Sequence, residues 1–171
     1  MRWAVLALAL ALCGCGGSPK TQFYTLLPVP PAGSDPAHAG GPPLQVGQVH
    51  LPGVLDRASL VTLGPGPQVA VSDNERWAAP LDELIRRTLT EDLRARLGSR
   101  QVLAPDDPAV SGATRTLILA VQRFSGDGAG QVVLQADWTL AAGNPPKAAA
   151  IHHVKLAEQA ASADGHAGAT A

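Results

Sequence analysis

The sequence predicts an α+β domain: a mostly antiparallel sheet with one long amphipathic helix packed on a face. Three observations carry that prediction. Leu81, Leu84, Ile85, Leu89, Leu93 and Leu97 recur at spacings of three and four, the period of one helical face. Two runs that alternate apolar and polar residues, around 117–122 and 132–140, flank a glycine-rich turn, the pattern of a β-hairpin. Further short alternating runs are set apart by Pro/Gly clusters, and the chain of 171 residues carries 18 Gly and 15 Pro to do so.

The N-terminus precedes the domain. Arg2 is followed by the apolar run Trp3–Leu12, well short of the roughly 20 residues a membrane-spanning helix needs. A positive residue, a short apolar run and small residues before a cut describe a secretory signal. Leu12-Cys13-Gly14-Cys15 resembles a bacterial lipobox, with an aliphatic residue three before the modified cysteine and a small one directly before it. Cys15 fits that pattern. Cys13 fits less well, because Leu12 would occupy the position that wants a small residue. The chemistry implied is a thioether between the Cys15 sulfur and a diacylglycerol, cleavage before Cys15, and acylation of the new terminus with a fatty acid such as palmitate. Residues 1–14 are then the signal peptide and 15–21 a lipidated tether. Gly16 is not the Asp associated with retention in the inner membrane, which points to the outer membrane. A redox or metal-binding pair is the weaker reading of the two thiols, since no further Cys exists to complete a tetrahedral site.

Each element of the body, residues 22–160, follows from local pattern. Residues 22–29 (QFYTLLPV) read as a strand and 30–43 as a Pro/Gly-rich loop. Residues 44–52 (LQVGQVHLP) alternate as a second strand, Ser59–Leu63 as a short third, and 68–71 as another after a GPGP turn. The helix is expected over 79–97. Pro80 suits its first turn, Asp82 and Glu83 lie near the positive end of its dipole, Arg94 and Arg96 near the negative end, and Gly98 ends it. In the hairpin, Val132, Leu134, Ala136, Trp138 and Leu140 share a face, and the leucine stripe of the helix is the expected cover for it. Residues 148–160 read as a third strand beside the pair. Residues 161–171 (ASADGHAGATA) show no apolar periodicity and are expected to be a disordered or truncated tail.

Composition excludes some functions. A formal net charge of −1 and the absence of a basic stripe argue against nucleic acid. After processing, the one remaining cysteine is the acylated one, so the fold cannot depend on a disulfide even in an oxidising compartment. The GDGAG segment (126–130) has the glycines of a phosphate loop but leads into no helix, so it is read as a hairpin turn. His152 and His153 are adjacent in a strand and point to opposite faces, and His38, His50 and His166 are scattered, so no metal or other cofactor is expected. Ser72-Asp73 with a distant His is no hydrolase triad. No nucleophile, base and oxyanion site assemble, and the chain is read as not an enzyme.

Several motifs then fall in order: FYTLLP (23–28), VGQVHLPGVLDR (46–57), RWAAPLDELIRRTLTEDLRARLGS (76–99), LAVQRFSGDG (119–128) and LQADWTL (134–140). Together they resemble the ABC-type transport auxiliary lipoprotein family over residues 20–160. The resemblance implies a lipid-anchored outer-membrane protein facing the periplasm. There it would be the lipoprotein subunit of an MCE-type intermembrane lipid transport system, docking the MCE-domain protein that bridges the two membranes and supporting envelope integrity. It also suggests a ring-like homo-oligomer. Members of the family usually end in a second amphipathic helix, and here the sequence stops at HAGATA where that helix should begin, so it is expected to be missing. The competing functions are a structural or assembly lipoprotein of the outer membrane unrelated to lipid transport, and a lipidated periplasmic enzyme.

The candidate partner-binding residues are Leu51, Pro52, Leu55, Asp56 and Arg57, which form either a partner-facing loop or a strand-ending turn, together with Trp77, Pro80 and Leu81. These last three also fit a hydrophobic plug at the start of the helix. Asp56 could pair with Arg57 or Arg87. Trp138 and Phe124 are expected in the core.

Overall fold

A computed structural model of the chain describes residues 19–29, 41–63, 67–98, 101–104, 115–126, 130–142 and 147–159. Residues 1–14, read above as a signal peptide, both cysteines and residues 161–171 lie outside the described residues. Eight strands form one sheet among them: β1 Gln22–Tyr24, β2 Leu44–His50, β3 Ser59–Leu63, β4 Val69–Trp77, β5 Val102–Leu103, β6 Arg115–Gly126, β7 Gln131–Ala142 and β8 Lys147–Gln159. One helix, α1 Leu81–Leu97, separates β4 from β5. The class is α+β, as the sequence predicts.

The long ladders of the sheet are antiparallel, as expected, but the sheet is mixed and carries parallel pairings as well. β3–β4, β6–β7 and β7–β8 are antiparallel, whereas β1–β4, β2–β5, β2–β6 and β3–β6 are parallel. The long strand β6 is the hub. One of its edges carries β7 over nearly its full length, from Arg115↔Ala142 to Gly126↔Val132. The other edge is shared by β2, which pairs from Leu44↔Arg115 to His50↔Ala120, and by β3 at Thr62↔Gly126. Strand direction is set by the path of the connections, and alternation within a strand carries no trace of it.

The helix begins two residues later than the periodicity suggests. Pro80 takes the N-cap position with φ −50° and ψ 134°, an extended ψ that keeps it outside the helix while its carbonyl accepts the Leu84 N–H at 3.0 Å. At the other end Gly98 adopts φ 93°, and its N–H donates to the Arg94 carbonyl at 2.9 Å. A side chain is disfavoured at that φ, which is why glycine ends the helix.

Burial of Leu81 and Leu84 fastens the start of α1. Leu81 joins Val49, Leu55, Val61, Val121 and Ala136 in the buried core, with Trp77 and Phe124 packed against it. Those two rings stack, with centroids 6.0 Å apart and planes at 23°. The body of the helix lies over β2 and β5, where Val46 and Val102 are each only 1% exposed. Strand β5 was invisible in the sequence, since two residues define no period.

Two strands differ in length from the alternating pattern. β4 runs on through polar Ser72–Arg76 to Trp77, because it lies between β3 and the parallel strand β1 (Gln22↔Glu75, Tyr24↔Trp77). The Tyr24 hydroxyl donates to Glu75 Oε1 at 3.1 Å, and this bond, with lesser contributions from desolvation and the carboxylate charge, pushes the phenol above its ordinary pKa. β1 stops at Tyr24. The following residues leave the sheet and run beside α1, where Thr88 Oγ1 donates to the Leu26 carbonyl at 3.5 Å and the Val29 N–H donates to Asp92 Oδ1 at 2.8 Å.

Gly47 of β2 lies close against β6, at a register shift between Val46 and Val49. A Cβ there would fall 2.8 Å from Thr116 Cγ2 and 3.1 Å from the Leu117 carbonyl oxygen. Gly47→Ala is therefore expected to destabilise the domain by about 1–3 kcal/mol, as overpacking does. Thermal melting checks this, and an unchanged midpoint would show that β2 can move aside.

Candidate functional site

The expected cover of the hairpin face is only partly in place, and it leaves an apolar gap among the described residues. With α1 lying over β2 and β5, its apolar residues Ile85, Leu89 and Leu93 face the β6–β7–β8 surface across an open cavity of about 590 Å³. Leu134, Ala136, Trp138 and Leu140 of β7 form its floor, in the alternation that places every second residue on one face. Val154 and Leu156 extend the floor on β8, and Leu26 and Leu27 contribute from the segment after β1. The wall is almost wholly apolar. Its hydroxyl-bearing and charged side chains, Thr88 and Asp92, are the ones already bonded to Leu26 and Val29.

Trp138 lies in this wall, half-buried, where the sequence pattern had placed it in the core. Its indole stacks on His152, centroids 4.2 Å apart and planes at 17°. His153 points to the other face, as adjacent strand residues must. There its Nδ1 lies 2.5 Å from Asp137 Oδ1, and Gln122 Nε2 donates to Asp137 Oδ2 at 2.5 Å. The sheet thus has an apolar face toward the cavity and a polar one away from it. Among the described residues no group of three or more His, Cys, Asp or Glu side chains could hold a metal ion. Among them, too, no helix is long and apolar enough to cross a membrane.

The sequence-marked partner residues separate into two sets. Leu51 packs against the core, Leu55 is 5% exposed within it, and Trp77 and Leu81 belong to the same cluster. Pro52 opens a tight turn, its carbonyl accepting the Leu55 N–H at 2.8 Å and the Asp56 N–H at 3.2 Å. That turn drives Leu55 inward and leaves Asp56 and Arg57 exposed, with Pro80 also at the surface. Arg87 is engaged by Glu83 at 3.1 Å. The motif is therefore a core-seated turn that carries two exposed charges. The cavity residues Leu26, Leu27, Ile85 and Leu140 had not been read as a site. Each belongs to a visible apolar face, but only the offset of the helix leaves those faces unfilled.

Comparison with known proteins agrees with this architecture. Residues 24–171 match the family described as the ABC-type transport auxiliary lipoprotein component. The chain is 31% identical over 140 residues to the intermembrane transport lipoprotein PqiC of Escherichia coli K12, covering 81% of this chain and 73% of that protein. The PqiC of Shigella flexneri matches to the same extent. A crystal structure of an uncharacterized protein superposes with a TM-score of 0.62 at 26% identity, covering 85% of this chain and 86% of the other. The fold is also that of protein XCC0632 from Xanthomonas campestris, with a TM-score of 0.62 at 18% identity over 84% of this chain and 81% of that one. A family match over most of the length, together with the identity to PqiC, means that the chain belongs to the ABC-type transport auxiliary lipoprotein family.

Proposed function

We propose that this chain is the outer-membrane lipoprotein subunit of an MCE-type intermembrane lipid transport system. It is anchored through acylated Cys15 and docks the MCE-domain protein that spans the periplasm. The observation that carries this proposal is the relationship to the intermembrane transport lipoprotein PqiC over 81% of the chain. Every role assigned here is one of binding and assembly rather than catalysis. The tether, residues 15–21, gives the body a reach of roughly 3.5 Å per residue from the bilayer. Asp56, Arg57 and Pro80 are the exposed members of the candidate docking surface, with Leu51, Pro52, Leu55, Trp77 and Leu81 holding their backbone in place. Docking in a homo-oligomeric ring would repeat that surface around an axis, and the assembled system would support envelope integrity.

The test is crosslinking in living cells, with a photoreactive benzophenone amino acid at Arg57. Irradiation is expected to join the protein to an MCE-domain protein. Recovery of no such adduct from a strain that expresses one would overturn the proposal.

A further inference from the structure

We infer that the outward face of the β1–β4 edge, carrying Phe23 and Arg76, rests on the anionic phospholipid surface of the membrane that holds the chain's own anchor. This depends on the proposed acylation of Cys15 and adds to it. The anchor alone would leave the body free to hang at any angle, whereas a contact at Phe23 fixes how it stands.

The register brings the two side chains together. β1 and β4 run parallel, with Phe23 opposite Arg76 and Tyr24 opposite Trp77. Successive strand residues point to opposite faces. Trp77 packs against the core, so Phe23 and Arg76 share the face turned away from it. Exposure agrees: the Phe23 ring is 67% exposed, and Arg76 is exposed beside it. The neighbouring carboxylate, Glu75, belongs to the other face, where it accepts the Tyr24 hydroxyl. Lys20, three residues before Phe23, is exposed as well. Neither Phe23 nor Arg76 lines the cavity, so whatever fills that gap does not decide this contact.

An exposed ring accompanied by two cations has the chemistry of a headgroup boundary. The ring enters the zone between headgroups and acyl chains, and the cations meet the lipid phosphates. A single exposed apolar side chain is ordinary on a protein surface. What distinguishes Phe23 is where the chain is held. Cys15 lies eight residues before it, so the ring stays within roughly 28 Å of the anchor even on a fully extended tether. A tether that short holds the patch at an effective concentration on the order of millimolar near the bilayer. A contact too weak to recruit a free protein is then strong enough to orient a tethered one.

The test uses the full lipidated chain, its acylation first read by intact mass. It is reconstituted into vesicles of phosphatidylglycerol and a phosphatidylcholine brominated in its acyl chains, which quenches an indole that touches it. Phe23→Trp is expected to add emission that the bromine removes, measured against the parent protein with its own Trp77 and Trp138. Ile151→Trp, at a site 66% exposed on β8 at the opposite end of the sheet, should keep its added emission. Adding Arg76→Glu to Phe23→Trp should restore much of the lost emission. Replacing phosphatidylglycerol by ordinary phosphatidylcholine at the same bromine content should do so too. Equal quenching in the two Trp variants, or quenching indifferent to the charge reversal, overturns the inference. In cells, a benzophenone amino acid at Phe23 should acquire the mass of a phospholipid, and an adduct with another polypeptide in its place would also overturn it. A chain without acyl groups would remove the anchor proposal and this inference with it. A lipidated chain with no added quenching would remove this inference alone.

Discussion

Cys15→Ser is expected to leave the protein at its precursor mass, unlipidated. The proposed modification begins on the Cys15 sulfur, and a serine hydroxyl, far less nucleophilic than a thiolate, does not replace it. Without the thioether the signal peptidase of the lipoprotein route has no substrate, so the 1–14 segment stays attached. The energetic stake is large. Each buried methylene contributes about 0.8 kcal/mol, and two or more chains convert marginal membrane binding into stable anchoring. Intact-mass measurement and membrane fractionation read both consequences. Cys13→Ala should be processed as normal, because in the proposed route that residue leaves with the signal peptide. Blocked lipidation in the Cys13 variant alone would show that the modified cysteine had been wrongly assigned.

The second large effect concerns the start of the helix. Leu81 is 3% exposed and joins α1 to the core cluster of β2, β3, β6 and β7. Leu81→Ala removes its side chain and leaves a cavity, a change that costs about 2–5 kcal/mol in comparable sites. Against a total stability of roughly 5–15 kcal/mol, this is a substantial fraction. At about 2–4 °C per kcal/mol for a domain of this order, the melting midpoint should fall by several degrees or more. Asp56→Ala and Arg57→Ala alter exposed side chains and should stay within about 0.5 kcal/mol of the parent. If Leu81→Ala melted with the parent yet no longer captured the MCE-domain protein, Leu81 would be a partner contact rather than a core residue.

The contrast between these residues explains why the docking surface was only half legible. Leu51-Pro52-x-x-Leu55-Asp56-Arg57 could be recognised as a unit, but a linear motif does not reveal which of its members face inward. The Pro52 carbonyl settles that by closing the turn on the Leu55 and Asp56 N–H groups. Trp77 and Phe124 illustrate the same point. They lie far apart in the chain and stack only because β4 and β6 are brought together around β3.

By itself the sequence determined the local elements: a helix ending at Leu97, a hairpin within 114–143 and a third strand beside it, with His152 and His153 on opposite faces. These depend on periodicity, capping and turn residues, which act over a few neighbouring positions. Only the tertiary structure decided the parallel pairings of β6, the extension of β4 through polar residues, the strand β5 and the offset of α1 toward β2 and β5. Strand direction and partner are properties of the path between elements. The cavity is a property of two faces that do not meet. Leu89 and Leu134 each look like core residues along the chain. The gap between helix and sheet, with α1 lying over β2 and β5, makes them the walls of a cavity.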